Sequence, residues 1–252
     1  TKKQKAKLIT SIAMFYDLPD PVKFSKNIYS CLDDNGIWHL EQSYSKFMLE
    51  KNSYDTICHE HLEYYSIFSL NKILKIAGLK IIDVSFNKIN GGSFAITAAK
   101  KNSIFKEYKK LDKLIYLENL NKINSPLSYK LFYKKITENK NKILKFFKKT
   151  EKQKKTVLGY GASTKGNVIL QFCNLKNKQI KYICDVNKDK HGSYTPGSKI
   201  KIISEKKAKK MNVDYFFVLP WHFKKFIFKK EKLNQNKNRA KFVFPLPNFR
   251  IY

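Results

Sequence analysis

The spacing of apolar positions changes several times along the chain, and each change marks an element. Residues 7–15, Lys-Leu-Ile-Thr-Ser-Ile-Ala-Met-Phe, read as a short strand. A turn follows, in which Asp20 can cap a helix and Pro21 suits its first position. That helix carries Phe24, Ile28 and Leu32 at helical spacing, and Asp33-Asp34-Asn35-Gly36 is expected to stop it. Ile37-Trp38-His39-Leu40 is the next strand, ending at Glu41-Gln42-Ser43-Tyr44. Strand, helix and strand in this order predict one right-handed crossover of a parallel sheet. Ser69 is expected to cap a helix with Leu70, Ile73, Leu74 and Ala77 on one face, closed by Gly78. Residues 79–86 and 93–99 then read as two strands forming an antiparallel edge.

From 102 to 155 the chain is lysine-rich, with apolar residues at helical spacing (Leu111, Leu114, Ile115 and Leu117; Ile143, Leu144, Phe146 and Phe147). This predicts two solvated helices broken near Asn124-Ser125-Pro126. At Thr156 a second α/β unit begins: strand, a glycine loop at Gly159-Tyr160-Gly161, then helix. Further strands are expected at 180–185, 215–219 and 241–244. The fold class is therefore α/β, with a first unit over 1–100 and a second over 101–252, the latter led in by helices at 101–155.

Composition changes this picture little. The 252 residues are 42% hydrophobic, enough to build cores. No stretch approaches the ~18 apolar residues of a membrane span, and the basic start lacks the apolar run of a signal peptide. Lys+Arg number 51 against 20 Asp+Glu, a net charge of +31. Such a field could serve nucleic acid. Only Arg239 and Arg250 are arginines, however, and bidentate phosphate and base recognition favours that side chain. The abundance of Lys, Asn and Ile is what an A- and T-rich coding sequence produces, so no nucleic-acid partner is expected. Cys31, Cys58, Cys173 and Cys184 form no C-x-x-C pair, so no zinc site and no disulfide framework is expected, and the setting is read as cytoplasmic.

Several phrases occur in a telling order. They are Thr10-Ser11-Ile12-Ala13-Met14-Phe15-Tyr16-Asp17, Glu41-Gln42-Ser43-Tyr44, Tyr54-Asp55-Thr56-Ile57-Cys58-His59-Glu60-His61 and Asn90-Gly91-Gly92-Ser93. Gly159-Tyr160-Gly161-Ala162-Ser163-Thr164-Lys165-Gly166-Asn167, Leu219-Pro220-Trp221-His222 and Pro245-Leu246-Pro247 follow. Together they resemble the S-adenosylmethionine-dependent C-methyltransferases of deoxysugar biosynthesis, which act on nucleotide-linked keto-sugars. The resemblance spans nearly the whole chain. It implies the C-terminal half of a Rossmann-type methyltransferase domain followed by a smaller Rossmann-like domain that holds the nucleotide-sugar. Family members also carry a zinc-binding N-terminal domain and a G-x-G loop for S-adenosylmethionine. Neither is found here, so the resemblance implies an N-terminally truncated chain, inactive alone. Zinc is expected only in the absent part.

Forming a carbon–carbon bond with a sulfonium methyl needs a carbanion equivalent. A base must remove the hydrogen beside a ketone, and the enolate must be stabilised. Histidine suits this work because it changes charge near neutrality. By resemblance His61 is the base, Glu60 its helper or a contact to a sugar hydroxyl, and His59 a further candidate. Spacing alone favours ordinary surface histidines, and H-E-x-x-H is not met. Met14, Phe15 and Tyr16, at a parallel strand end, are expected to line the cofactor, although Met14 suits plain core packing nearly as well. Glu41 and Tyr44 are expected to face the substrate, Glu41 being equally suited to the surface. The phrase around Gly159 lacks the third glycine of G-x-G-x-x-G and fails the P-loop spacing. By resemblance Tyr160, Gly161, Ala162, Ser163, Lys165 and Asn167 belong to the nucleotide-sugar pocket, with Asp185 and Trp221 beside it. Asp185 can equally cap a loop, and Trp221 can equally be packing. A nucleotide-sugar-binding module without catalysis is the rival reading.

Overall fold

A computed structural model describes residues 4–233 and 240–252; Thr1, Lys2, Lys3 and Arg239 fall outside the described residues. The chain divides into two compact units, residues 1–50 with 59–130, and residues 51–58 with 131–252.

The first unit holds a four-stranded sheet. Strands β1 (Ala6–Ile12) and β2 (Leu32–Ser43) are parallel, joined by helix α1 (Pro21–Cys31). The Asp20 carboxylate accepts from the Lys23 backbone N–H at 2.8 Å, capping α1 as expected, with Pro21 at the first position. Asp33-Asp34-Asn35-Gly36 does not stop the helix, however. Leu32 already begins β2, and the four residues bulge within it: Ala6 pairs with Leu32, but Leu8 pairs with Ile37. Gly36 is required there, since a Cβ would lie 2.6 Å from the Ala6 carbonyl oxygen. A short helix, α2 (Ser45–Glu50), follows where none was expected.

Helix α3 (Ile67–Ile76) is capped by Ser66, not by Ser69. Ser66 Oγ accepts from the Ser69 N–H at 3.1 Å, and Ser69 Oγ accepts from the Ser66 N–H at 3.0 Å. In this reciprocal box Ser69 takes the N3 role more often filled by Glu or Gln, and the first of the two serines is the cap. Strands β3 (Leu79–Asn87) and β4 (Ser93–Lys100) complete a sheet of order β1-β2-β4-β3, both added antiparallel. β3 rather than β4 takes the edge. The core gathers Phe15, Trp38, Leu70, Leu74, Ile81 and Phe94.

Helix α4 (Leu111–Leu120) packs on α3, which moves the division between units to residue 130 instead of 100. Glu118 links the two helices. Only 1% exposed, it accepts from the Ile67 and Phe68 backbone N–H groups at 2.8 and 2.9 Å and from the Tyr44 hydroxyl at 2.7 Å. One carboxylate thus satisfies the open N–H groups of α3 and ties α4 to β2. Helix α5 (Pro126–Lys152) follows the expected break.

The second unit is a six-stranded sheet of order β10-β9-β8-β5-β6-β7. Its strands are β5 (Val157–Tyr160), β6 (Ile183–Asp185), β7 (Ile202–Ser204), β8 (Tyr215–Val218), β9 (Lys241–Phe244) and β10 (Arg250–Ile251). All pairings are parallel except β10 with β9. β7 and β10 were not expected, and β6 is shorter than 180–185. Two and three residues are too few for a period to show. Helices α6 (Thr164–Phe172), α7 (Glu205–Lys209) and α8 (Lys224–Leu233) connect the strands. No helix among the described residues is long and apolar enough to cross a membrane.

Burial sorts the four thiols. Cys173 and Cys184 are buried, and desolvation pushes them up to about 11 and about 12. Cys31 is exposed and Cys58 half-buried. Alkylation of the native protein with iodoacetamide at pH 8 should therefore mark Cys31 and Cys58 first, with Cys173 and Cys184 reacting only in denaturant. Equal rates at all four would contradict the burial.

Candidate active site and ligand cavity

In the first unit the parallel strands β1 and β2 end side by side. Ala13, at a φ of 53°, turns the chain at the end of β1, and its N–H donates to the Glu41 carbonyl at 2.8 Å. The turn that follows delivers Tyr16 and Asp17 beside the segment after Glu60. The Tyr16 carbonyl accepts from the Leu62 and Glu63 N–H groups at 3.0 and 3.1 Å, and the His61 ring lies 4.3 Å from the Tyr16 ring. The Asp17 carboxyl is raised by burial, opposed by the His61 charge and reinforced by Glu60. His61 is half-buried, while His59 and Glu60 form an exposed turn. Asp17, Glu60 and His61 therefore share one electrostatic neighbourhood at the carboxyl end of a parallel pair, where ligands bind in open α/β sheets.

The other expected residues of this unit divide. Met14 is half-buried at that strand end, and Glu41 is half-buried at the end of β2. Phe15 is 0% exposed and packs edge-on against Phe24 and Trp38, so its side chain is core. Tyr16 is buried and supports His61. Tyr44 is buried with its hydroxyl committed to Glu118, and burial raises that hydroxyl. Its position is that of a structural clamp, not of a group facing a substrate.

In the second unit β5 is the strand at which the sheet order reverses, with β6 on one side and β8 on the other. Such a switch point opens a crevice at the carboxyl ends of the strands. A cavity of about 400 Å³ lies there. Gly161, Ala162 and Ser163 form one wall, and Val186, Phe223 and Phe226 give it an apolar face. Phe223 and Phe226 are 53% and 64% exposed, an unusual cost for two phenyl rings on one opening. Gly161 adopts φ +79°, and a Cβ there would meet Pro220 Cδ at 2.7 Å, so the loop can approach β8 only as glycine. Ser163 caps α6, accepting from the Gly166 N–H at 3.0 Å.

Tyr160 borders this cavity, but its hydroxyl donates to Glu231 Oε1 at 2.9 Å. Asp185 borders it too, with both oxygens occupied: they accept from the Ala162 N–H at 2.6 Å and the Asn187 N–H at 2.7 Å. Its loop-capping role is the one observed. Lys190 donates to the Ala162 carbonyl at 2.7 Å, and Lys230 pairs with Glu205 at 2.6 Å, so the ionic groups at the cavity are largely compensated.

Lys165 and Trp221 do not border this cavity. They join a second cluster with Asp55, Cys58 and His222, which belong to the Tyr54–His61 and Leu219–His222 phrases. Asp55, 1% exposed, accepts from Trp221 Nε1 at 2.8 Å. Burial raises the Asp55 carboxyl, and Lys165 opposes that rise; burial lowers the Lys165 ammonium, and Asp55 and Cys58 oppose the fall. His222 is lowered to about 4 by burial and by Lys165. Asn167 is half-buried on the first turns of α6. Asp55 was visible within the Tyr54–His61 phrase. The phenyl rings of Phe223 and Phe226 had no signal beyond following a strand end.

His222 sets an acid limit. Its folded value lies below the ordinary 6.5, so the unfolded chain binds the extra proton between these values. The associated stability is complete above about pH 6.5 and is lost as pH falls toward about 4. Discounted for partial solvent access, the loss is about 2 kcal/mol. His222→Gln should flatten the fall of Tm between pH 6.5 and 4; an unchanged slope would exclude His222 as its source.

Among the described residues no group of three or more His, Cys, Asp or Glu could hold a metal. Residues 1–84 match the sequence model of a methyltransferase domain. NovU of Streptomyces niveus, described as a C-methyltransferase, is 29% identical over 251 residues, covering 100% of this chain and 60% of NovU. Among solved structures, one titled "A Pericyclic Reaction enzyme" overlaps 40% of this chain and 28% of its own length, with 14% identity and a TM-score of 0.34, too little to bear on fold or activity. Residues 88–247, more than half the chain, match the model of the C-methyltransferase C-terminal domain, and the chain belongs to that family.

Proposed function

We propose that this chain serves methyl transfer from S-adenosylmethionine to the carbon beside the ketone of a nucleotide-linked deoxysugar. Family membership and the description of NovU support C-methylation. The ordered phrases of the sequence support the substrate. The observation that carries the chemistry is His61, half-buried against Tyr16 with Asp17 and Glu60 around it, at the carboxyl ends of β1 and β2.

His61 takes the proton from the carbon next to the ketone, and the tilted contact with the Tyr16 ring holds the imidazole in place. Glu60 and Asp17 supply negative charge that favours the imidazolium once the proton has moved. S-adenosylmethionine, when bound, supplies an electrophilic methyl group. The residues present fit its apolar parts: Met14 and the exposed Ile12 offer an uncharged surface at the end of β1, whereas Phe15 is spent on the core.

The second unit serves the nucleotide. The cavity walled by Val186, Phe223 and Phe226 suits a flat base. That cavity would serve a binding module equally well, so turnover decides between the two readings. The test offers methyl-labelled S-adenosylmethionine and a panel of nucleotide-linked keto-sugars to the full-length protein, S-adenosylmethionine loop included. A sugar that gains the label on carbon supports the proposal. Saturable binding of the sugar with no labelled product from any member overturns it in favour of the module.

A further inference from the structure

We infer that the cavity of the second unit takes the uncharged nucleoside part of the ligand, read by Lys190, and leaves the phosphates outside. The inference deepens the proposed function and rests on its reading of that unit.

The charged groups of the cavity cancel. Among the described residues, the charged side chains that line it are Asp185, Glu205, Lys190 and Lys230. Lys230 donates to both Glu205 oxygens at 2.6 Å. Asp185 Oδ2 lies 4.0 Å from the Lys190 ammonium, and each Asp185 oxygen already accepts a backbone N–H. Two cations and two carboxylates leave no net charge, although the chain as a whole carries +31. A phosphate drawn in by that field would lose hydration and meet no excess of positive charge among these four groups.

The apolar wall points the same way. Val186, like Phe223 and Phe226, lines the cavity while largely exposed. A flat, uncharged ring laid on these three covers their surface without desolvating a charge. At about 400 Å³ the cavity lies near the lower end of the ~300–1,000 Å³ of ligand sites. That volume suits a base with its ribose, not a whole nucleotide-sugar.

Orientation inside the cavity comes from Lys190. Its ammonium has three N–H donors and one direct acceptor, the Ala162 carbonyl at 2.7 Å. Its side chain is 43% exposed. The segment that carries it is fixed before any ligand arrives. The Asp185 carboxylate holds the Ala162 and Asn187 N–H groups, and His191 Nε2 donates to the Asp185 carbonyl at 2.9 Å. A remaining N–H on an ammonium held in this way suits a neutral oxygen, either a base carbonyl or a ribose hydroxyl.

Calorimetry with uridine, UMP and UDP tests this, in about 0.3 M salt so that the field of the whole chain is screened. The three should bind within about threefold of one another. Lys190→Met should weaken all three by the same factor, about five- to twentyfold. That factor persists with 2′,3′-dideoxyuridine if the acceptor is a base carbonyl, and it vanishes if the acceptor is a ribose hydroxyl. Phe226→Ala should also weaken all three alike, by about tenfold, and it decides the charge preference if Lys190→Met does not fold. UDP more than about tenfold tighter than uridine, or a loss in Lys190→Met confined to UMP and UDP, shows that a phosphate enters and overturns the inference. Unchanged affinities in Lys190→Met remove Lys190 as the reader. If uridine, UMP and UDP all fail to bind, the nucleotide reading falls, and 2-naphthol and 2-naphthalenesulfonate then decide the cavity's preference. Tighter binding of the uncharged naphthol keeps an uncharged aromatic ligand; equal or tighter binding of the sulfonate, or no binding of either, overturns it.

Discussion

With His61 as the proposed base, His61→Ala should lower methyl transfer by about two to four orders of magnitude while leaving the affinity for the proposed nucleotide-sugar within a few-fold of wild type. The split follows from where the groups lie. The imidazole belongs to the first unit, and the cavity proposed for the nucleotide belongs to the second. Removing the proposed base should therefore remove an interaction made as the proton leaves, not one that recognises the nucleotide. The substitution deletes one half-buried ring against Tyr16, so folding stability should change by no more than about 1–2 kcal/mol. His61→Gln, which keeps a polar side chain of similar reach, should be as inactive as His61→Ala. The measurement is steady-state kinetics of both variants with the Tm of each as a control. Turnover within threefold of wild type would remove His61 from the reaction.

The second large effect is on stability. Glu118→Ala should cost about 3–5 kcal/mol, read as a drop in the urea midpoint. The carboxylate is nearly inaccessible and accepts three hydrogen bonds, from Tyr44, Ile67 and Phe68. Its loss strands a buried hydroxyl and two N–H groups at the start of α3, and it leaves a cavity between α3 and α4. Glu118→Gln keeps one carbonyl oxygen in place but brings two donors into a site built of donors, so it should recover only part of the loss. A cost below about 1 kcal/mol for Glu118→Ala would mean that the site relaxes or admits water.

Glu118 also shows what was legible in the sequence and what was not. It stands seven, four and three residues after Leu111, Leu114 and Ile115, on the apolar stripe of its own helix. An acid on such a stripe is a signal for a buried, compensated carboxylate, but its partners come from 44, 67 and 68, which no local pattern connects to it. Elements whose signals lie within one turn were readable. The Asp20-Pro21 start of α1, the break before α5 and the strand–loop–helix at Gly159 all appear where local chemistry put them. Signals that two neighbouring segments could share were not. Ser69 resembles a cap because it takes part in one, and Asp33 to Gly36 resemble a stop because a bulge uses the same residues.

The candidate site divides in the same way. Short phrases located the turn at His59 and the loop at Gly161, because each is continuous in the chain. The separation of Tyr160, Gly161, Ala162 and Ser163 from Lys165 and Trp221 was not visible, since α6 turns its successive side chains to different faces. Phe15 and Tyr44 stand just past the ends of β1 and β2 and were expected to face ligand, but Phe15 opens a 3-10 turn that folds back onto Trp38 and Tyr44 reaches Glu118, so both side chains are spent on the core.

Removal of a carbon-bound hydrogen by His61 can be read directly, with no methyl donor present. The wild-type protein is incubated in D2O with a nucleotide-linked keto-sugar, and deuterium at the carbon beside the ketone is followed by NMR. The account predicts that the wild-type protein accelerates this exchange and that His61→Ala abolishes the acceleration. Exchange that continues undiminished in His61→Ala, or a wild-type protein that binds the sugar without exchanging it, would contradict the account.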